Sequence, residues 1–108
     1  MIMNKVMLIG RLVKDVAIET KDKNVRVYGT IAINNGKDKQ ADFIPFVAFG
    51  KTAELIADYC GKKGDPIAIE GKVSITSKNV GSERKPVYET YANVIVNNVI
   101  FLPITKDK

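Results

Sequence analysis

The run Asp-Phe-Ile-Pro-Phe-Val-Ala-Phe-Gly-Lys occupies residues 42 to 51 and is apolar at almost every position. It is too short for a core helix and follows a polar loop, which is typical of a strand that contacts other groups on both of its faces. Because side chains alternate across a strand, the run has two distinct faces. An expected core face consists of Ile44, Phe46 and Ala48, and the opposite face consists of Phe43, Pro45, Val47 and Phe49.

The face that carries Phe43 and Phe49 has two interpretations. Phenylalanines in a strand most often fill a core or an interface, and the run by itself favours that interpretation. Alternatively, the rings form a platform on which unpaired bases stack, with Lys51 just beyond them. Such stacking contributes roughly 1–3 kcal/mol per base whatever the base sequence. The rest of the chain has to decide between the two.

Length and charge narrow the possibilities. The chain has 108 residues, with 17 Lys plus Arg against 12 Asp plus Glu, and a formal net charge of +5. This predicts one domain with a modest core, and an acidic partner is plausible, with nucleic acid first. The single cysteine, Cys60, excludes an internal disulfide and fits a reducing compartment. No signal peptide or transmembrane run is recognisable, so we expect a cytoplasmic protein with no membrane partner.

Asn4 to Val13 is a strand candidate that is largely apolar on both faces. Gly10 in its middle predicts a bulge or a sharp bend, as a closed sheet needs. Met7 and Ile9 lie on the outer face of this strand. Their side chains either cover the chain's own loops or form a subunit interface, and the pattern favours neither.

The segments that follow predict a connection and then a strand. Residues 14–24 are polar and read as a connection, whereas residues 25–33 alternate clearly between apolar and polar positions. Arg26 and Tyr28 add a cation and an aromatic ring to the outer surface of that strand.

Basic side chains concentrate in a pair of predicted loops. Residues 34–41 contain an Asn-Gly turn signal, and residues 77–86 surround a glycine. Their basic side chains include Lys37, Lys39, Lys78 and Arg84.

Residues 52–60 are the best helix candidate. Thr52 is the expected N-cap, and Gly61 is placed to end the helix. The apolar stripe consists of Leu55, Ile56, Tyr59 and Cys60.

Two further strands complete the pattern. The first opens at Pro66 and has the clearest alternation in the chain, with Lys72 on its outer face. The second covers residues 87–101, is bent near Asn97-Asn98, and places Tyr88 on the face opposite Tyr91. The inward side chains of the first are Ile67, Ile69, Val73 and Ile75.

Five strands with one helix between the third and fourth predict an all-β OB-fold, a small Greek-key barrel. The domain spans residues 1–103, and residues 104–108 form a short C-terminal tail. Such barrels commonly bind single strands or oligosaccharides on strands two and three and on their long loops. Because a fold alone does not give function, individual residues must carry that argument.

The chain lacks the residues of a catalytic or metal site. It contains no histidine, and its single cysteine is interpreted as a buried residue at the edge of the helix. No carboxylate cluster or glycine-rich phosphate loop is evident. We therefore expect no catalytic residues, no metal, no cofactor and no enzymatic activity.

Three short blocks of sequence fall in a recognisable order and spacing. They are Asn-Lys-Val-Met-Leu-Ile-Gly-Arg-Leu from Asn4, Ala-Phe-Gly-Lys-Thr-Ala-Glu from Ala48, and Ile-Glu-Gly-Lys-Val from Ile69. In this arrangement they resemble the bacterial-type single-stranded DNA-binding proteins (SSB). Each block is weak alone, but the three in register are strong, and the resemblance extends from Asn4 to about Leu102.

The resemblance implies sequence-independent binding and protection of single-stranded DNA during replication, recombination and repair. It places Phe43 and Phe49 at base-stacking positions. Tyr28 and Tyr88 are expected as additional stacking rings, although the resemblance itself does not place them. The family's basic positions along the DNA path fall at or near Lys5, Arg11, Lys51 and Lys63. Further expected basic contacts are Arg26, Lys37, Lys39, Lys72, Lys78 and Arg84. The alternative is an OB-fold module that binds RNA or another protein.

The resemblance also implies assembly, usually as a homotetramer. A subunit interface would explain why Met7 and Ile9 are apolar although they lie on the outer face of their strand.

The chain departs from the family in having no tryptophan, and Asn35 and Lys78 stand about where aromatics are expected. Pro45 replaces a residue that is often basic. The sequence ends without the acidic tip of cellular members, which favours a phage-encoded protein in the host cytoplasm. Replication or recombination proteins would then have to bind the barrel itself.

Overall fold

A computed structural model describes residues 3–37 and 39–100 of the chain. It contains strands and one helix in the order β1, β2, β3, β4, α1, β5 and β6. Their bounds are β1 Val6–Leu12, β2 Ala17–Lys21, β3 Asn24–Ile33, β4 Asp42–Phe49, α1 Gly50–Tyr59, β5 Pro66–Asn79 and β6 Tyr88–Ile100. The expected domain boundary at residue 103 lies outside the described residues.

The strands form one 6-stranded sheet in the order β1-β5-β6-β4-β3-β2. β1 also pairs with β3, where Arg11 lies opposite Ala32 and Leu12 lies opposite Ile31. This additional pairing joins the start of the sheet to its far side, so the sheet closes into a barrel. The parallel pairing of β4 with β6 gives the Greek-key crossover. The OB-fold prediction is confirmed.

The core lies inside this barrel and under the helix. Phe46 is 1% exposed, and α1 contributes Ala53 and Ile56 to the same cluster. Other fully buried side chains are Val27, Ile31, Ile67 and Ile69. The predicted core faces of β3, β4 and the first half of β5 are confirmed. Burial does not follow the alternation throughout, because Val47, expected on the outer face of β4, and Ala68, between the inward residues of β5, are also buried.

One strand was missed by the sequence prediction. Residues 14–24 were expected to be a connection, but Ala17–Lys21 pairs with β3 through a hairpin whose turn residues are Asp22 and Lys23. Both turn residues have positive φ, at 51° and 69°, as a tight hairpin turn requires. β2 therefore adds a sixth strand to the predicted five.

The helix begins earlier than predicted. Thr52 was expected as N-cap, but α1 begins at Gly50, the N-cap is Phe49, and no side chain caps the helix. Gly50 has a φ of 59°, which lets the chain turn from strand to helix with no intervening loop. Tyr59, expected in the apolar stripe, is 66% exposed.

β5 and β6 extend beyond the barrel as a two-stranded ribbon, from about Val73 to the pair Asn79 and Tyr88. Val73 and Ile75 were predicted to face the core, but they are 37% and 57% exposed. They keep the inward alternation, and the ribbon simply has no core beneath them. The bend predicted near Asn97 is confirmed, because Asn98 pairs with Glu70 while Val96 pairs with the next residue, which leaves Asn97 as an extra residue.

Within residues 3–37 and 39–100, no helix is long and apolar enough to cross a membrane. The same residues contain no group of 3 or more His, Cys, Asp or Glu side chains that could hold a metal ion.

Candidate nucleic-acid interface

β4 presents its aromatic rings to solvent on one face only. Phe43 is 63% exposed and Phe49 is 45% exposed, whereas Phe46, on the other face, is 1% exposed. The predicted faces of these three rings are confirmed, whereas Val47, predicted on the outer face, is only 6% exposed. The interpretation that all three rings are core filler is wrong for Phe43 and Phe49 within this chain.

Strand registers align cations with these rings. Phe43 lies opposite Ala32, which in turn lies opposite Arg11 on β1, so the three share the outer face. At the usual strand spacing the backbones of Arg11 and Phe43 lie about 10 Å apart. A groove of about 570 Å³ is lined by Arg11 and Ala32 of this row and by Ile9 on β1, but not by Phe43. One Nη1 hydrogen bond from Arg11 to the carbonyl oxygen of Gly64, at 2.9 Å, orients the guanidinium.

The second ring, Phe49, has its own cation. Phe49 lies opposite Arg26, and the guanidinium carbon of Arg26 lies 5.4 Å from the centroid of the ring. Arg26 also forms an ion pair with Glu19 on β2, with Nη1 and Oε1 4.0 Å apart. The row Glu19, Arg26 and Phe49 therefore holds a partly neutralised cation against one aromatic ring.

A third row crosses most of the sheet between these two. Tyr28 lies opposite Ala17 on one side and Val47 on the other. Val47 continues to Ile95, which lies opposite Lys72. Tyr28 is 40% exposed and Lys72 is exposed, so the row carries a ring next to one end and a cation at the other end.

Other predicted basic residues lie around this outer face. Lys51 is exposed in the first turn of α1, just after Phe49. Lys63 is exposed in the loop after the helix, where its backbone N–H donates to Oδ1 of Asp15 at 2.8 Å. Lys37 and Lys39 are exposed in the segment between β3 and β4. Lys5 is less available, because its Nζ lies 3.3 Å from Oε2 of Glu70.

Three of the predicted residues lie apart from the rings of β4. Lys78, opposite Glu89, and Tyr88, opposite Asn79, lie at the far end of the ribbon. Arg84 lies in the loop that joins its two strands. Tyr88 is 65% exposed and lies on the ribbon face opposite that of Tyr91. The structure therefore does not bring Tyr88 together with Phe43 or Phe49.

Sequence reasoning missed Tyr91 and Lys14. Both line a groove of about 460 Å³ together with Tyr28. The alternation of β6 predicted that Tyr88 and Tyr91 lie on opposite faces of the strand. Nothing in the sequence indicated that the ribbon brings Tyr91 beside β3. The Tyr91 hydroxyl donates a hydrogen bond to Oε2 of Glu89, and this bond raises the pKa of Tyr91.

An apolar patch covers the outer face of β1 and its neighbours. Met7 and Ile9 are 53% and 60% exposed. Ile9 lies opposite Ala68, which lies opposite Ile100, itself 40% exposed. Met7 and Ile9 were expected either to cover the chain's own loops or to form a subunit contact. A subunit contact requires exposed apolar surface, and these side chains provide it.

Cys60 lies away from all these rows, in the core at the end of α1. Burial raises the pKa of its thiol to about 11, and the nearby Asp65 carboxylate adds to the shift. A thiol in this state is a poor nucleophile at neutral pH.

Comparison with known proteins gives the same family as the resemblance seen in the sequence. Residues 3–102 match the model of the single-strand binding protein family. Single-stranded DNA-binding protein 1 of Clostridium acetobutylicum is 39% identical over 115 residues, which cover 97% of this chain and 98% of that protein. Single-stranded DNA-binding protein 3 of Listeria innocua is 38% identical over 106 residues, which cover 93% of this chain and 64% of that protein.

Among solved structures, the SSB domain of a Synechococcus sp. protein superimposes with a TM-score of 0.68. The match covers 92% of this chain and 96% of the other at 17% identity, which supports the fold alone. The family model and the curated relatives carry the family assignment, since each covers most of the chain. This chain belongs to the single-strand binding protein family.

Proposed function

We propose that this chain binds single-stranded DNA without sequence preference and protects it during replication, recombination and repair. The observation that carries the proposal is the outer face of β4, where Phe43 and Phe49 are exposed and each shares a row with an arginine. Proteins that bind single strands combine such rings with a basic groove. The names of the relatives from C. acetobutylicum and L. innocua support the same function.

Electrostatic attraction supplies the first part of the mechanism. Lysines and arginines around the outer face attract the phosphate backbone, and binding releases the counterions condensed on it. The affinity should therefore fall steeply with salt, with a slope of about 0.7 per neutralised phosphate on a plot of log affinity against log salt concentration. Since this part reads only phosphates, it carries no sequence preference.

Base stacking supplies the second part. An exposed phenylalanine offers a π-face to any base, so stacking on Phe43 and Phe49 tolerates every sequence. Duplex DNA keeps its bases stacked on one another and cannot offer their faces to a protein ring. Single strands are therefore preferred, and no catalytic step is required of the protein.

We also propose that the chain acts as a homo-oligomer, a tetramer, that uses the patch around Met7 and Ile9. Exposed apolar side chains that are grouped on one sheet face favour a subunit contact. Native mass spectrometry tests this proposal. Ile9→Lys should reduce the oligomer, whereas a wild-type monomer at micromolar concentration would contradict it.

A competition experiment tests the proposed function. Labelled oligo-dT is bound to the protein, and unlabelled oligo-dT, the matching RNA and a DNA duplex are added separately at equal nucleotide concentration. Unlabelled oligo-dT should displace the label and the duplex should not. A duplex that competes as well as the single strand would contradict the proposal, and stronger competition by RNA would favour an RNA-binding module instead.

A further inference from the structure

The groove that contains Tyr28 and Tyr91 lies between the outer face of β3 and β4 and the ribbon of β5 and β6. Its volume of about 460 Å³ falls in the range of small-molecule sites, roughly 300–1,000 Å³. We call it the tyrosine groove. The side chains that line it include Lys14, Tyr28, Pro45, Thr76, Tyr91 and Asn93.

The rings of the tyrosine groove are accessible and come from different elements. Tyr28 is 40% exposed on β3, and Tyr91 is 52% exposed on β6. The hydrogen bond from the Tyr91 hydroxyl to Glu89 restrains the orientation of the second ring and leaves the ring itself in solvent. The groove therefore presents a pair of aromatic surfaces that need little reordering to receive a flat ligand.

The polar side chains of the groove suit a nucleotide. Lys14 supplies a positive charge, Thr76 a hydroxyl and Asn93 an amide. None of the described residues that line the groove is an aspartate or glutamate. The lining therefore offers Lys14 to a phosphate, and the neighbouring Glu89 carboxylate lies outside the lining, where it accepts the hydrogen bond from Tyr91. The hydroxyl and amide can hydrogen-bond base edges.

The tyrosine groove is continuous with the interface already described. Pro45 lines it and shares the outer face of β4 with Phe43, two positions earlier. Residues two apart on a strand are separated by about 6.6 Å, so Pro45 lies directly beside Phe43 on this face. A single strand stacked on Phe43 can therefore continue into the groove.

We propose that the tyrosine groove holds one nucleotide of the bound single strand, with its base against Tyr28 and Tyr91 and its phosphate beside Lys14. This inference rests on the proposed function and extends its binding path from the rings of β4 onto the ribbon. It also gives Tyr91, rather than Tyr88, the role of the aromatic contact on the last strand.

Oligo-dT binding by tyrosine variants tests the proposal. Tyr91→Leu and Tyr28→Leu should each weaken binding about 5- to 150-fold, because each removes a stacking ring. Tyr91→Phe, which keeps the ring and loses only the hydrogen bond to Glu89, should lose much less affinity than Tyr91→Leu. Tyr59→Leu, which changes an exposed tyrosine on α1 outside the groove, is the matched control and should bind like the wild type.

The results separate the groove from the general function. If the wild type binds oligo-dT and Phe43→Ala weakens it, while both tyrosine-to-leucine variants bind normally, the groove proposal alone is overturned. Equal losses in Tyr91→Phe and Tyr91→Leu would also overturn it, because the ring would then not be the contact. If the wild type fails to bind, the proposed function itself is overturned.

A second measurement requires no variant to fold. Wild-type protein is irradiated with an oligonucleotide that carries 5-bromodeoxyuridine, and the crosslinked residues are identified by mass spectrometry. Crosslinks at Tyr28 or Tyr91 are expected. Crosslinks confined to Phe43 and Phe49 would overturn the groove proposal and leave the proposed function intact.

Discussion

The guanidinium of Arg26 lies 5.4 Å from the centroid of the Phe49 ring. One face of the ring is thereby covered by a cation, while Phe49 remains 45% exposed for a base on its free surface. Glu19 holds the same guanidinium from the other side, at 4.0 Å. The arrangement keeps Arg26 in place but offsets part of its attraction for phosphate.

Replacing Glu19 by glutamine should strengthen the binding of oligo-dT at low salt. The exposed ion pair with Arg26 is worth about 0.2–1 kcal/mol, so removing it should raise the affinity for oligo-dT at most about fivefold. Fluorescence anisotropy at several salt concentrations measures the gain, which should shrink as salt increases. Asp58→Asn on α1 changes the net charge equally and is the control. Equal gains in both variants would show that only net charge matters.

Gly29→Ala should destabilise the barrel. Gly29 lies opposite Phe46, and a Cβ atom added to it would lie 2.5 Å from Cζ of that ring, which is too close for any real contact. Overpacking of this kind typically costs about 1–3 kcal/mol, measured here as the change in free energy of unfolding in urea. In a Phe46→Leu background the same change should cost less. An equal cost in both backgrounds would contradict the assigned clash.

The Cys60 thiol should resist alkylation until the protein unfolds. With a pKa of about 11 against the ordinary 9.0, the folded thiol has a thiolate fraction about a hundredfold lower than the unfolded one. Because the folded pKa is the higher, the stabilisation is present below pH 9.0 and is lost as the pH rises towards 11. Iodoacetamide labelling and unfolding measurements at increasing pH test both points. Rapid labelling at pH 8 without denaturant would contradict the buried position.

Much of the fold was predictable because alternation is a local property. On β4, the period of two separated exposed Phe43 and Phe49 from buried Phe46 without any knowledge of the partners of the strand. β2 was not predictable in the same way, since its large apolar residue, Ile18, is 57% exposed. Its turn, Asp22-Lys23, also contains no glycine to signal a positive φ.

The site was predictable only where it lies on one strand or its direct neighbours. The pairing of Arg26 with Phe49 follows from the hairpin register of β3 and β4. The groove at Tyr91 depends on how the ribbon leaves the barrel, and this depends on contacts between distant parts of the chain. The same ribbon explains why Ile75, apolar and in phase with the core, is exposed.

The central claim is that bases stack on the outer rings of β4. Its most direct test compares Phe43→Ala and Phe49→Ala with Phe46→Leu, which changes the buried ring between them. Oligo-dT affinity and the free energy of unfolding are measured for each variant. The outer variants should each lose roughly 1–3 kcal/mol of binding with little loss of stability, and Phe46→Leu should lose stability while its folded fraction binds normally. Unchanged affinity in both outer variants would contradict the claim.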